Sequence, residues 1–345
     1  MRSIFDFTYE ELISELEKNN YKKYKAKQVF QWLYRKKEFD YFKMSDISKE
    51  MMAFLANNYD NQLVKIVRKQ VSKDKTIKYL FALGDGELVE TVIMFHDYGA
   101  SVCVSSQVGC NMGCKFCASG LLKKKRDLVA SEMVMQILIC QLELEKMDQR
   151  VSNVVVMGSG EPFDNYDNVI RFLNIINSDL GLAIGARHLT VSTCGLVPGI
   201  LKFAHEKQFN LAISLHGSND ELRSSLMPIN NKYSLSQLFD ALRQYQEISK
   251  RRLSFEYILI KGLNDKYENA QELKKLVYGL DAYINLIPYN SVDEHDFQSS
   301  SAVDALKFYD YLKKLNVSVT LRAEHGSDID GACGQLRNKV IRGDN

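Results

Sequence analysis

From residue 101 onward the chain alternates short apolar runs with amphipathic helical stretches, and nothing else in the sequence limits the fold as strongly. Strands are expected at 101–107, 151–158, 188–193, 209–216, 253–260 and 283–290, with a last one at 317–323. Helical patterns lie between them near 129–146, 166–178, 197–207, 235–249, 267–279 and 301–315. Six successive βα units predict an α/β chain whose parallel sheet curls into a partial (βα)6 barrel over 99–323. In such folds the chemistry gathers where the strands end. Four motifs fall there: Gly158-Ser159-Gly160-Glu161-Pro162, Ser192-Thr193-Cys194-Gly195, Ser214-Leu215-His216 and Pro288-Tyr289-Asn290.

Residues 1–60 read as a small helical N-terminal domain. Thr8 and Glu11 have the spacing of a capping box, and apolar positions such as Leu12, Leu16, Val29, Phe30, Met52 and Leu55 recur at helical intervals. Residues 61–98 read as a short β-hairpin extension around the turn Gly84-Asp85-Gly86. Residues 324–345 read as a Gly-rich C-terminal loop.

Composition narrows the class. Hydrophobic residues make up 46% of the 345, enough for a sizeable core, which excludes a largely disordered chain. Lys and Arg total 45 against 43 Asp and Glu, so nucleic-acid affinity must come from local patches. Three stand out: the Lys- and aromatic-rich stretch 21–37, Lys123-Lys124-Lys125-Arg126, and Lys250-Arg251-Arg252. Each reads blandly as a solvated face; together they suit the phosphates of a folded RNA. No apolar run approaches the roughly 18 residues of a membrane span, and the N-terminal segment does not read as a signal peptide. A cytoplasmic protein with no membrane association is expected.

Seven cysteines stand at 103, 110, 114, 117, 140, 194 and 333. Cys110, Cys114 and Cys117 form a C-x3-C-x2-C triad just after the first barrel strand. Three thiolates this close wrap one compact centre. A structural zinc wants a fourth ligand, and no second ligand pair follows downstream. An iron–sulfur cluster held by three cysteines keeps one iron open.

A C-x3-C-x2-C triad after the first strand of a βα barrel resembles the radical S-adenosylmethionine (SAM) superfamily. The resemblance implies a [4Fe–4S] cluster on Cys110, Cys114 and Cys117, its fourth iron chelated by SAM. It also implies SAM contacts from Gly160, Glu161, Ser192, the Ser214-Leu215-His216 turn and Asn290. A narrower resemblance rests on Val89-Glu90-Thr91-Val92, Cys103-Val104-Ser105-Ser106-Gln107-Val108-Gly109-Cys110, Met227-Pro228-Ile229-Asn230 and Asp328-Ile329-Asp330-Gly331-Ala332-Cys333-Gly334-Gln335-Leu336. These are similar to the RlmN family, which methylates carbon 2 of an adenosine in 23S rRNA and in tRNA. Residues 118–128 depart from the family's Gly-x-x-Arg-Asn-Leu pattern, and Gly331 stands where Ala is usual.

The RlmN resemblance implies two SAM per methylation. Cys333 accepts a methyl from one; the second, cleaved by an electron from the cluster, yields a radical that activates the thioether methyl. Cys103 then takes the carbon-2 proton and resolves the protein–RNA adduct as a disulfide, with Glu90 as a proposed proton acceptor. From position alone, Cys103 reads as core, Glu90 as a strand-edge carboxylate, and Cys140 and Cys194 as structural. The expected partners are 23S rRNA, tRNA and an electron donor such as a flavodoxin or ferredoxin, acting on a monomer. Two alternatives stay open. A Cfr-type carbon-8 methyltransferase would share the cysteines but carry Ala and Cys where Pro162 and Val108 stand. A non-catalytic iron–sulfur RNA-binding protein would leave Glu161, Ser192 and Asn290 without a purpose.

Overall fold

The computed structural model describes residues 1–206, 209–290, 296–322, 325–326, 328–330 and 334–343. Cys333 lies outside them. Ten strands form one sheet: β1 (Lys65–Val71), β2 (Ile77–Ala82), β3 (Leu88–His96), β4 (Gly99–Cys103), β5 (Val151–Val156), β6 (Leu189–Thr193), β7 (Asn210–Ser214), β8 (Leu253–Leu259), β9 (Ala282–Pro288) and β10 (Val319–Leu321). Their order in space is their order in the chain. From β4 to β10 every pair is parallel, with helical crossovers between them, whereas β1 to β4 pair antiparallel through turns. The expected hairpin extension is thus continuous with the barrel sheet. The junction sets Val92 of β3 opposite Cys103 of β4.

The crossover helices are α4 (Ala130–Glu145), α5 (Tyr166–Asn177), α6 (Val197–Phe203), α8 (Leu235–Ser249), α9 (Tyr267–Val277) and α10 (Ala302–Lys314). They follow the predicted pattern closely. Two further helices appear where none was expected: α7 (Asp220–Leu226), and α11 (Gln335–Arg342) in the stretch read as loop. In α11 only Leu336, Val340 and Ile341 are apolar, so periodicity gives little sign of a helix; Gly343, at φ 78°, ends it in the left-handed conformation.

The N-terminal helices α1 (Tyr9–Lys18), α2 (Tyr24–Gln31) and α3 (Lys49–Asn58) form a second layer outside α4 and α5. The capping box forms: Glu11 N donates to Thr8 Oγ1 at 3.2 Å, and Thr8 N to Glu11 Oε2 at 3.0 Å. Phe5, Phe30 and Tyr34 belong to the same apolar core as Ile137, Phe172 and the sheet. Sandwiched this way, α4 is buried nearly all round, which explains its run Met133-Val134-Met135 followed by Ile137-Leu138-Ile139. Asp6 accepts from Ser131 N at 2.8 Å, and Arg171 pairs with Glu11 at 2.9 Å, so the two layers are also polar-linked. Among the described residues no helix is long and apolar enough to cross a membrane.

Candidate active site

A cavity of about 350 Å³ opens at the C-terminal ends of the barrel strands. The cysteine loop forms one wall. Gln107-Val108 pairs antiparallel with Arg126-Asp127 and pinches the loop at its neck, and Cys110 N donates to Leu122 O at 3.1 Å. Gly109 turns with φ 80°, and a Cβ there would lie 2.3 Å from the Lys123 carbonyl oxygen, so only glycine fits. Cys110, Cys114 and Cys117 all face the cavity.

Burial, together with the neighbouring thiols, pushes the Cys110 thiol up to about 11 and the Cys114 thiol higher still. Two neighbouring thiols that resist ionisation call for a positive centre to hold them as thiolates. Among the described residues no three His, Cys, Asp or Glu side chains are arranged to hold a single metal ion. Soft donors spread along a cavity wall, with no fourth protein ligand in the motif, fit an iron–sulfur cluster better than zinc.

Gly160 and Glu161 form the next wall. Gly160 has φ 111°, and a Cβ there would meet the Gln107 side chain at 2.6 Å. Glu161 is 3% exposed. Its Oε1 accepts from Phe163 N at 3.0 Å and its Oε2 from Cys194 N at 2.8 Å. Burial raises its pKa, and these amides with the Thr193 hydroxyl oppose the rise. A carboxylate offers about four acceptor positions, so capacity remains for a ligand ammonium in the cavity.

Ser192 and Ser214, on neighbouring strands β6 and β7, bring their hydroxyls within 3.4 Å of each other at the cavity wall. His216 lines it too, in the left-handed conformation at φ 52°. Burial and the nearby Arg223 guanidinium depress its pKa to about 3, so the ring is neutral. Its Nδ1 accepts from Ile258 N at 3.1 Å, which leaves the proton on Nε2. Asn290 reaches the exposed rim, and Cys103 lines the cavity from β4 at 8% exposure.

Two expected site residues stand elsewhere. Leu215 turns into the apolar core, because side chains alternate along a strand end and its neighbours Ser214 and His216 take the cavity side. Glu90 is buried just behind the cavity wall, which its partner Lys78 lines. Its Oε2 accepts from Gly334 N at 2.6 Å, its Oε1 accepts from Arg337 N at 2.7 Å, and it pairs with Lys78 at 3.0 Å. Cys140 is fully buried in the core, as read from position, and no disulfide joins two described cysteines.

The sequence reading missed Arg223, 1% exposed on α7. It donates to the carbonyls of Cys194 at 2.6 Å, Leu215 at 3.2 Å and Ser214 at 3.3 Å, and to Asn230 Oδ1 at 2.8 Å. One guanidinium thus ties together two of the loops that carry cavity residues. Its only local signal was a cation beside a Ser-Leu-His-Gly turn. Gln107 was visible only as part of a motif. Its Oε1 accepts from Glu161 N at 2.8 Å, and its Nε2 donates to Asp127 at 2.7 Å and Asp164 at 3.0 Å.

Comparison with known proteins agrees with this geometry. Residues 104–273 match the Radical SAM superfamily model, and residues 3–59 match the Ribosomal RNA large subunit methyltransferase N-terminal domain. The chain is 53% identical to the probable dual-specificity RNA methyltransferase RlmN of Listeria welshimeri, over 99% of this chain and 94% of that protein. It is 52% identical to the Spiroplasma citri protein of the same name, over 99% and 100%. The crystal structure of a radical SAM methyltransferase from Sphaerobacter thermophilus shares 41% identity and a TM-score of 0.93, covering 97% of this chain and 99% of that one. A cavity ringed by three cluster-type thiols, on a fold and sequence matched nearly end to end, places this chain in the RlmN family of radical SAM RNA methyltransferases.

Proposed function

We propose that this enzyme methylates carbon 2 of an adenosine in 23S rRNA and in tRNA, with Cys333 as methyl acceptor and Cys103 as the thiol that resolves the adduct. The observation that carries the reading is the position of Cys103, on the wall of the same cavity as Cys110, Cys114 and Cys117. A thiol with no chemical part to play would be as well served deeper in the core.

Cys110, Cys114 and Cys117 would hold a [4Fe–4S] cluster, while Glu161, Ser192, Ser214, His216 and Asn290 would hold SAM. Together the cluster and SAM supply methyl transfer and, through one-electron reduction by a flavodoxin- or ferredoxin-type donor, a carbon radical. That chemistry suits carbon 2 of adenine, an electron-poor amidine carbon without a lone pair to attack an ordinary methyl donor. Cys333 acts as a thiolate nucleophile toward the first methyl group. Neutral His216 donates from Nε2 to a ligand acceptor without adding charge. Once the adduct radical has given up its electron, Cys103 would take the carbon-2 proton, pass it on and attack the Cys333 sulfur as a thiolate; the sulfur–methylene bond breaks, the disulfide forms, and the methylene carbon is protonated to the product methyl group. The target adenosine must leave its stack to enter the cavity, and exposed lysines on the N-terminal layer suit the phosphates around it.

The test is mass spectrometry of adenosines from 23S rRNA and tRNA treated with reconstituted enzyme. The expected product is 2-methyladenosine in both; 8-methyladenosine, or no methylated adenosine, overturns the proposal. Cys103→Ala should accumulate a ribonuclease-sensitive protein–RNA adduct, and Cys333→Ala should form none. Normal turnover by Cys103→Ala would end the two-cysteine route.

A further inference from the structure

The C-terminal segment is bound to the β1–β3 hairpin by a set of hydrogen bonds beside the cavity, which Thr76, Lys78 and Ile329 of these segments help to line. Gln70 Nε2 donates to Asp330 Oδ2 at 2.8 Å, and Asp330 N donates back to Gln70 Oε1 at 3.4 Å. Asp328 accepts from Lys73 N at 3.1 Å and from the Ser72 hydroxyl. Gly326 N donates to Asp74 at 2.9 Å.

Beneath these lies a buried ion pair. Lys78 is 0% exposed and Glu90 5%, at 3.0 Å from each other. Lys78 Nζ also donates to the Asp330 carbonyl, and the two Glu90 oxygens take the amides of Gly334 and Arg337. Two amides and an ammonium fill most of what a carboxylate accepts. Gly334 is the N-cap of α11 and Arg337 lies in its first turn, so the Glu90 carboxyl caps that helix. The pair therefore grips the chain at Asp330 and again at Gly334, on both sides of the Gly331-Ala332-Cys333 stretch.

We infer that Glu90 and Lys78 are positioning residues that fix Asp330 and Gly334, the described residues flanking the methyl acceptor in sequence, against the sheet, and that Glu90 does not exchange a proton with the RNA. This rests on the reading of Cys333 as the methyl acceptor. The two roles for Glu90 fail at different stages. A base for the carbon-2 proton acts only after RNA has been attacked. A positioning residue acts before RNA is present, when the thiolate meets the first SAM.

The test uses full-length, cluster-reconstituted protein incubated with SAM and no RNA, with the methyl group on the Cys333 peptide followed by mass spectrometry. Glu90→Gln and Lys78→Met should each slow loading about ten- to a hundredfold, the weight of a charge-assisted bond. Neither should accumulate a protein–RNA adduct once RNA is added. Glu90→Gln combined with Lys78→Met should load faster than either single variant, because removing both charges leaves neither buried alone. Gln70→Ala, which breaks only the outer grip, should slow loading less while iron content stays at wild-type level. Wild-type loading by Glu90→Gln, with adduct building up after RNA addition, would overturn the positioning role and restore Glu90 as the base. Absence of methyl from Cys333 in the wild type would instead overturn the acceptor reading on which this rests.

Discussion

The basic face of α2 and the basic run behind the cysteine loop carry similar numbers of cations but would meet a polyanion differently. Around α2, no carboxylate among the described residues lies within ion-pair distance of Lys22, Lys23, Lys25 or Lys27, and Lys36 sits over the Trp32 ring at 3.3 Å. Behind the loop, Lys124 stands between Asp127 and Asp164, 2.8 Å from each. Lys125 pairs with Glu87 at 2.7 Å, and Arg126 bridges Asp85 and Glu132 at 2.7 and 2.8 Å. The first field is positive and the second is largely cancelled. Cations behind the cysteine loop are tied up in bracing it, whereas those around α2 have the field that would suit phosphates.

The sharpest way to break this comparison is charge reversal on α2. Lys22→Glu, Lys23→Glu and Lys27→Glu together should weaken RNA binding on the order of a hundredfold and flatten the salt dependence by up to about three contacts' worth. Binding titrations across a salt series check it, and an unchanged slope would return α2 to the status of a solvated face. Next in size is Lys124→Ala, which leaves Asp127 and Asp164 facing each other. It should cost about 1–2 kcal/mol, lower the melting temperature by a few degrees and loosen iron retention, with the salt slope unchanged. A flattened slope with normal iron content would mean that this run meets RNA after all.

A smaller effect follows from pH. Burial pushes the Asp164 carboxyl up, but Lys124 and Gln107 outweigh it and hold the group below its ordinary range. A depressed folded pKa stabilises above the unfolded value and is lost as pH falls through the folded one. The Lys124 brace should therefore persist from neutral pH down to about 4 and fade below; melting curves of wild type and Lys124→Ala should converge there. Smallest of all is Lys125→Ala. Its side chain is 61% exposed, and exposed pairs contribute roughly 0–1 kcal/mol, so melting temperature and salt slope should both stay near wild type.

These two regions also show how much the sequence made legible. Alternating apolar runs announced the parallel sheet because crossover helices and buried strands leave local periodic signatures. The cysteine triad was legible for a similar reason: three cysteines on one loop are neighbours in the chain as well as on the cavity wall. Glu161, Ser192 and His216 were expected near one another because strand ends are where such folds keep their chemistry, and all three line the cavity. What escaped depends on partners far along the chain. Nothing beside Lys124, Lys125 or Arg126 reveals which carboxylates fold back onto them, and Arg223 looks like any helical surface cation until the strand-end carbonyls close around it. Glu90 read as a strand-edge carboxylate because Gly334 and Arg337, which define its job, stand 244 and 247 residues later.

That separation sets a birth order. Neighbouring strands of the sheet also follow one another in the chain, so the hairpin and each βα unit can assemble as they leave the ribosome. At about 5–20 residues per second, roughly ten to fifty seconds pass between the synthesis of Glu90 and that of the segment it grips. The cysteine loop is complete long before the tail arrives. On the proposed mechanism, a chain stalled or clipped in that interval would carry Cys110, Cys114 and Cys117 but lack Cys333. The contacts of Lys78 and Glu90 with Asp330, Gly334 and Arg337 can therefore form only after nearly the whole chain has been made.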